Sequence, residues 1–276
     1  MRHNRMISLL AEGRTVFGAF VDNKSPDGAM GIVRNDRLDF VFYDMEHSPL
    51  DVGELRTYLQ FMIDPAAVLR RGRPGTEHPV LARIPAYGRE MNHWLVKQVL
   101  DQGVSGVIVP HIETPEQATS LVRAMRYPQK PDAPDAEPAG QRGAGPFMAC
   151  RVWGLSMADY MRVADVWPLD PDGELISMTL IENPLGVQNA KAIAKTPGVS
   201  VVVAAPGDLG VSYAGDPDRT ERAIQTVLAA ATEAGVPCGI TAGAQDIARR
   251  VEQGFRVIMA MDGEALAIGR KAAGRT

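Results

Sequence analysis

The chain is poor in cysteine and has no long apolar run, and each absence excludes a class of protein. Cys150 and Cys238 are the two cysteines among 276 residues, and they lack the spacing of a metal site. A disulfide framework is excluded; a single disulfide stays open, although we expect reduced thiols and a cytoplasmic protein. No apolar run reaches the about 20 residues that span a bilayer, and the N-terminus lacks a secretory signal pattern, so we expect no membrane partner.

Neither sign of charge dominates the sequence. Lys and Arg number 29 against 33 Asp and Glu, a net charge of −4, which gives no reason to expect a nucleic-acid partner. There is no internal repeat and no heptad run. No GxGxxG motif lies between a predicted strand and a helix, so the dinucleotide-binding fingerprint is absent as well.

What the sequence does have is an alternation of short apolar runs with longer amphipathic segments, which predict buried parallel strands and helices. The predicted strands are residues 16–20, 39–43, 80–83, 106–109, 176–181, 200–204, 238–240 and 257–260. The clearest predicted helices are residues 52–62, 90–102, 115–126 and 220–234. Eight strand-then-helix units in series favour a closed (β/α)8 TIM barrel over an open doubly wound sheet, as a single domain over residues 1–276.

Two segments interrupt the alternation. Residues 129–141 are rich in Pro, Ala and acidic side chains without an apolar period, so we expect an exposed insert loop rather than a domain linker. Residues 143–169 carry several aromatic side chains, which predict extra helices packed over the barrel mouth or against another subunit.

Polar side chains stand where several predicted strands end, the face at which barrels of this kind carry their active sites. In chain order they are Asp44, Glu46, His47, Arg83, Glu182 and Asp208. Each also has a structural interpretation: a surface histidine, an ion-paired arginine, or a helix-capping carboxylate. We favour the functional interpretation because unrelated caps and ion pairs would otherwise have to gather by chance at one mouth.

Motifs over nearly the whole chain resemble, in the correct order, those of the HpcH/HpaI family of class II pyruvate aldolases. They are YDMEHSP at 43–49, RIP at 83–85, KQVLDQG at 97–103, Pro110, EQA at 116–118, RYP at 126–128, RGAG at 142–145, IEN at 181–183 and PGDL at 206–209. The resemblance implies a carbon–carbon lyase that reversibly cleaves a 4-hydroxy-2-oxo acid through a metal-stabilised enolate. The products would be pyruvate, or a hydroxypyruvate-like 2-oxo acid, and an aldehyde.

The resemblance also implies a metal site. Glu182 and Asp208 correspond to two protein ligands of a divalent cation, and two carboxylates that leave positions to water and substrate suit Mg²⁺, Mn²⁺ or Co²⁺. Such a cation acts as a Lewis acid on the enolate, and Arg83 adds a fixed positive charge at the same oxygen. Asp44 and Glu46 would stand behind these groups, with Glu46 steering metal-bound water.

Further roles follow from the same resemblance. His47 corresponds to the family's acid/base residue, and Asp101 to the carboxylate that orients this histidine from a neighbouring subunit. The backbone N–H groups of Gly207 and Asp208 suit the substrate carboxylate. Phe20 stands near the mouth where relatives often carry Trp, so it is a substrate-contacting candidate.

Three rival functions remain to be weighed. A Schiff-base aldolase would need a lysine at a strand end, and no predicted strand ends in one. A lyase of CoA esters from the same superfamily would need a basic cluster for the nucleotide phosphates, and none is clear. A barrel that binds a 2-oxo acid without turnover has little use for His47.

The resemblance also implies assembly. The last predicted helix, near residues 263–270, is short and could be exchanged with a neighbour. We therefore expect a symmetric homo-oligomer, a hexamer built from dimers or trimers. The alternative is an active monomer in which Asp101 is a solvated carboxylate at a helix end.

Overall fold

Parallel strands form a closed barrel in the part of the chain that the computed structural model describes, residues 2–85 and 91–275. The strands are β1 Val16–Phe20, β2 Phe40–Asp44, β3 Val80–Arg83, β4 Gly106–Val109, β5 Val166–Trp167, β6 Leu175–Ile181, β7 Val201–Ala204, β8 Cys238–Ala242 and β9 Val257–Ala260. Pairing of β4 with β6 and of β9 with β1 closes a ring of eight, since the two-residue β5 lies outside it beside the start of β6. The predicted (β/α)8 barrel is confirmed.

Helices surround this ring. They are α1 Arg5–Ala11, α2 Pro26–Val33, α3 Val52–Phe61, α4 Pro65–Arg71, α5 His93–Gln102, α6 Pro115–Met125, α7 Phe147–Trp153, α8 Met157–Val163, α9 Pro184–Ala194, α10 Pro206–Ser212, α11 Pro217–Ala234, α12 Ile247–Gln253 and α13 Gly263–Ala272. Thr114 and Gln117 form a capping box at the start of α6, which fixes that boundary. The predicted start of α5 at residue 90 falls outside the described residues. Within the described ranges, no helix has both the length and the apolar character needed to cross a membrane.

The alternation of side chains along each strand decides which residues reach the barrel axis. Phe40 and Phe42 of β2 and Met178 and Leu180 of β6 belong to one buried cluster inside the ring, which α1 closes at the N-terminal ends of the strands.

The next inward positions, at the C-terminal ends of β2 and β6, carry the polar residues Asp44 and Glu182. Phe20 and Arg83 follow inward-facing positions of β1 and β3 in the same way. The barrel therefore aims four predicted site residues at its own mouth.

The last helix, α13, is well packed within the single chain described here. This helix lies on its own barrel against β9, β1 and α12. A Cβ on Gly269 would come within 2.6 Å of Ile247 and 2.7 Å of Phe17, so the glycine permits the close approach. Just beyond the helix, Arg275 donates a 2.7 Å hydrogen bond to the buried Asp39. Exchange of this helix with a neighbouring subunit stays a prediction.

The extra helices of the aromatic segment do not cover the mouth. Helix α7 packs on the outer side of α5, and the Trp153 indole donates to the Gly103 carbonyl oxygen at the end of α5. Because α5 returns from the mouth to the opposite end of the barrel, this contact lies near the N-terminal ends of the strands. His3 stacks on the same indole, with ring centroids 5.8 Å apart.

Residues 129–141 contain no helix or strand, and several of them are exposed, but the segment is anchored. Arg126, fully buried, donates to the Asp135 carboxylate at 2.6 Å and to the backbone oxygens of Asp135 and Pro138. It also pairs with Asp165 at 2.6 Å. The insert therefore folds around one buried guanidinium, a relationship that its composition did not indicate.

Candidate active site

Two carboxylates hold Arg83 at the mouth of the barrel. Asp44 and Arg83 are direct partners in the pairing of β2 with β3, and Nε of Arg83 lies 2.7 Å from Oδ1 of Asp44. Glu46 contacts Nη1 of the same guanidinium at 3.0 Å. Burial alone would raise the pKa of Asp44, but hydrogen bonds from Arg83 and from the Glu46 N–H keep it below its usual value. The predicted ion pairing is therefore present, and it also fixes the direction of the guanidinium.

Glu182 is the most buried carboxylate of the mouth, 2% exposed, directly after β6. The His111 backbone N–H donates to its Oε1 atom at 2.5 Å. The pKa of Glu182 is raised to about 8, chiefly by burial and also by the Asp208 and Glu46 carboxylates, against the opposing His111 hydrogen bond. Asp208 lies in the first turn of α10, which Ser212 ties to the Glu182 backbone oxygen at 3.0 Å.

These carboxylates fit a divalent cation. Glu182 is buried and Asp208 half-buried, and carboxylates shielded from water in this way are costly to ionise side by side without a compensating positive charge. Glu182 and Asp208 offer hard oxygen ligands from two different elements, and such ligands suit Mg²⁺, Mn²⁺ or Co²⁺ better than a closed zinc site. The chemistry of the donor set thus agrees with the cation predicted from the resemblance.

The remaining predicted residues lie around this core to different degrees. His47 is 64% exposed on its side chain, with Nε2 3.6 Å from Oε2 of Glu46. Phe20 packs on Phe42, with ring centroids 4.6 Å apart. The Arg83 guanidinium lies over the Phe42 ring. Gly207 is exposed in the first turn of α10, where a Cβ would touch nothing.

Asp101 is not brought to His47 within the chain. It lies near the end of α5, where its carboxylate accepts a hydrogen bond from Arg142 at 2.8 Å. This end of α5 is distant along the barrel from the mouth to which His47 belongs. The predicted contact between the two residues therefore requires a second subunit.

His111 is a site residue that the sequence reasoning missed. Its Nδ1 atom lies 3.5 Å from Glu182 and its Nε2 atom 3.9 Å from Glu46. It comes two residues after β4, and the rule that selected residues after other strand ends would have selected it too.

One group of three acidic residues in the described part of the chain has the spacing of a metal site. It comprises Asp135, Asp165 and Asp170. These residues lie toward the N-terminal ends of the strands, away from the mouth, and Arg126 already supplies positive charge to the first two. We therefore do not connect this group with the chemistry of the mouth.

Comparison with known proteins agrees with this geometry. The sequence pattern of the HpcH/HpaI aldolase/citrate lyase family matches residues 17–266. A hydroxypyruvate/pyruvate aldolase of Delftia acidovorans is 33% identical over 90% of this chain and 81% of that protein. A 2-keto-3-deoxy-L-rhamnonate aldolase of Klebsiella pneumoniae is 30% identical over 82% of this chain and 76% of its own. The crystal structure of an HpcH/HpaI aldolase/citrate lyase family protein from Burkholderia cenocepacia has a TM-score of 0.75 at 28% identity, covering 98% of this chain and 97% of that one.

Proposed function

Because the chain belongs to the HpcH/HpaI aldolase/citrate lyase family, we propose that it is a class II pyruvate aldolase. It reversibly cleaves a 4-hydroxy-2-oxo acid to pyruvate, or a hydroxypyruvate-like 2-oxo acid, and an aldehyde. The observation that carries the proposal is the meeting of Arg83, Glu46 and Glu182 at one barrel mouth, from three different strands. The names of the relatives support the same substrate class.

Glu182 and Asp208 would hold the divalent cation, which supplies Lewis acidity toward the 2-oxo acid when bound. The other steps belong to the chain's own groups. The Arg83 guanidinium, held by Asp44 and Glu46, faces the C2 oxygen of the substrate, on which negative charge develops as the C3–C4 bond breaks. The backbone N–H groups of Gly207 and Asp208 bind the substrate carboxylate, and Phe20 forms a wall of the pocket.

His47 moves the proton of the C4 hydroxyl. Working through a water molecule, it accepts this proton while the electrons of the C3–C4 bond pass to the 2-oxo group, so that the aldehyde leaves. Protonation of the resulting enolate at C3 gives the 2-oxo acid. The exposure of His47 to solvent suits a proton exchange with water.

The enzyme works, in this proposal, as one catalytic domain over residues 1–276 in the cytoplasm, where Cys150 and Cys238 stay as the free thiols found here. The proposed assembly is a homo-oligomer, a hexamer. Asp101 lies far from His47 of its own chain, so the proposed contact between these two residues can form only between subunits. Light scattering on active enzyme tests the assembly. Mixing folded, inactive His47→Ala and Asp101→Ala subunits tests the shared site, since recovered activity requires complementation between subunits.

The decisive assay is pyruvate release from 4-hydroxy-2-oxo acids before and after treatment with EDTA. We expect cleavage to stop in EDTA and to return with Mn²⁺, Co²⁺ or Mg²⁺, whereas Glu182→Gln should stay inactive with every metal. Full activity of thoroughly metal-stripped protein would contradict the class II assignment. Cleavage of a malyl- or citryl-type CoA ester instead would indicate the CoA-ester lyase, and 2-oxo acid binding without turnover would indicate a non-catalytic barrel.

A further inference from the structure

His111 occupies a backbone conformation that residues other than glycine rarely adopt. Its φ is +55°, in the left-handed region, where Gly is free of the strain that a Cβ introduces. Residues held in such conformations cost about 1–3 kcal/mol and persist where the surroundings fix them. An observed outlier of this kind therefore invites the question of what it positions.

The surroundings of His111 do fix it. The next residue, Ile112, donates from its backbone N–H to the Leu180 oxygen at 3.2 Å, and Glu113 accepts a 2.9 Å hydrogen bond from the Asn183 side chain. Both contacts join the turn after β4 to β6 and the start of α9, the elements that flank Glu182. The strained residue is thus held against the segment that carries the buried carboxylate.

In this conformation, both the backbone and the side chain of His111 face carboxylates of the mouth. The N–H donates to Oε1 of Glu182, and no other donor among the described residues reaches that carboxylate. The imidazole lies between two acidic residues of different strands, with Nδ1 3.5 Å from Glu182 and Nε2 3.9 Å from Glu46. It is thus the one described side chain that contacts both the proposed metal ligand and the carboxylate that holds Arg83.

We propose that His111 is a positioning residue of the cation site. Its backbone N–H sets the orientation of Glu182, and its imidazole keeps Glu182 and Glu46 in a fixed relation, so that the ligand and the Arg83 clamp are aligned before a cation binds. This inference rests on the proposed function. Groups that orient metal ligands in this way typically contribute 10–100-fold to metal affinity.

The imidazole can be removed while the backbone N–H is kept. His111→Gly keeps the backbone N–H and suits φ of +55°, but removes the imidazole. Ala214, at φ of +56°, offers a matched control, because Ala214→Gly makes the same backbone change after α10 without removing a polar group. Mn²⁺ binding to metal-stripped protein, followed by calorimetry and by the electron paramagnetic resonance of free Mn²⁺, gives a readout independent of turnover.

We expect His111→Gly to weaken Mn²⁺ binding about 10-fold or more, to leave the unfolding temperature unchanged or raised, and to lower kcat more than it raises KM. Ala214→Gly should bind Mn²⁺ as the wild type does. Wild-type affinity in His111→Gly would overturn the positioning role of the imidazole while leaving the aldolase proposal intact. Failure of the wild type itself to bind Mn²⁺ would instead overturn both.

Discussion

Nη2 of Arg142 donates a 2.8 Å hydrogen bond to Oδ1 of Asp101, so this carboxylate has a partner within its own chain. The Arg142 guanidinium is buried, lies 4.6 Å from the centre of the Tyr127 ring and donates to the Tyr160 hydroxyl. Its Nε and Nη1 atoms have no hydrogen-bond partner among the described residues. Asp101 therefore balances the charge of the buried Arg142 guanidinium. This role is independent of its proposed contact with His47 of another subunit.

Asp101→Asn should destabilise the fold. Removing the charge leaves the Arg142 guanidinium buried without its counter-ion, a change that costs about 3 kcal/mol. Urea unfolding followed by circular dichroism measures the loss, with the exposed Asp132→Asn as the matched control. The double variant Asp101→Asn/Arg142→Met should recover most of the stability, because the buried charge is gone. Equal stability of Asp101→Asn and the wild type would leave orientation of His47 as the residue's one role.

Arg83→Ala should lower kcat far more than stability. In the proposed mechanism the guanidinium faces the position at which negative charge develops, and the loss of one such donor typically costs about 10²–10³ in rate. Steady-state kinetics and thermal unfolding of the same preparation separate the two effects, and Arg222→Ala, which removes an exposed guanidinium from α11, serves as control. A stable variant with wild-type turnover would reduce Arg83 to an ion-pair partner of Asp44 and Glu46.

The strands could be predicted closely because they are buried on both sides. A parallel strand enclosed by helices is a short continuous apolar run, and the predicted ranges 16–20, 80–83, 106–109 and 257–260 coincide with β1, β3, β4 and β9. The two-residue β5 was not predicted, since Val166 and Trp167 pair only with the start of β6 and carry no pattern of their own.

The mouth was predictable in part for a similar reason. Asp44, Arg83 and Glu182 each continue the inward alternation of a strand, and this period can be followed from the sequence. The position of His111 after β4 can be read from the sequence, but its contacts cannot, because they arise from a left-handed turn that no local pattern encodes. The Arg142–Asp101 pair joins residues 41 apart in sequence, and only tertiary packing brings them together.

His47→Ala should impair carbon–carbon bond cleavage while metal binding stays unchanged. General acid–base catalysis contributes typically about 10²–10⁴ in rate, and the proposed ligands Glu182 and Asp208 are separate from the imidazole. Cleavage kinetics, Mn²⁺ affinity and exchange of the pyruvate methyl protons in D₂O would be measured together. His3→Ala, far from the mouth beside Trp153, controls for loss of a histidine. Unchanged cleavage in His47→Ala would remove this residue from the mechanism.

Glu182 should make the metal-stripped protein less stable as the pH rises. Its pKa is raised in the folded protein to about 8 from a usual value of 4.5, chiefly by burial. The unfolded chain therefore releases this proton first, so stability is full below about pH 4.5 and falls progressively until the pH passes the folded-state pKa. The slope in between is about 1.4 kcal/mol per pH unit for this one group.

The glutamine side chain does not titrate. Comparing Glu182→Gln with the wild type therefore isolates the contribution of the Glu182 carboxyl group to the pH dependence of stability. The unfolding temperatures of the two metal-stripped proteins should be similar near pH 5, and the variant should become the more stable one toward pH 8. Because a cation binds the ionised carboxylate, wild-type affinity for Mn²⁺ should fall about tenfold for each pH unit below the folded-state pKa. Parallel stability profiles for the two proteins would show that Glu182 is ionised throughout this range, and that its burial is compensated by Arg83 and the His111 N–H without a cation.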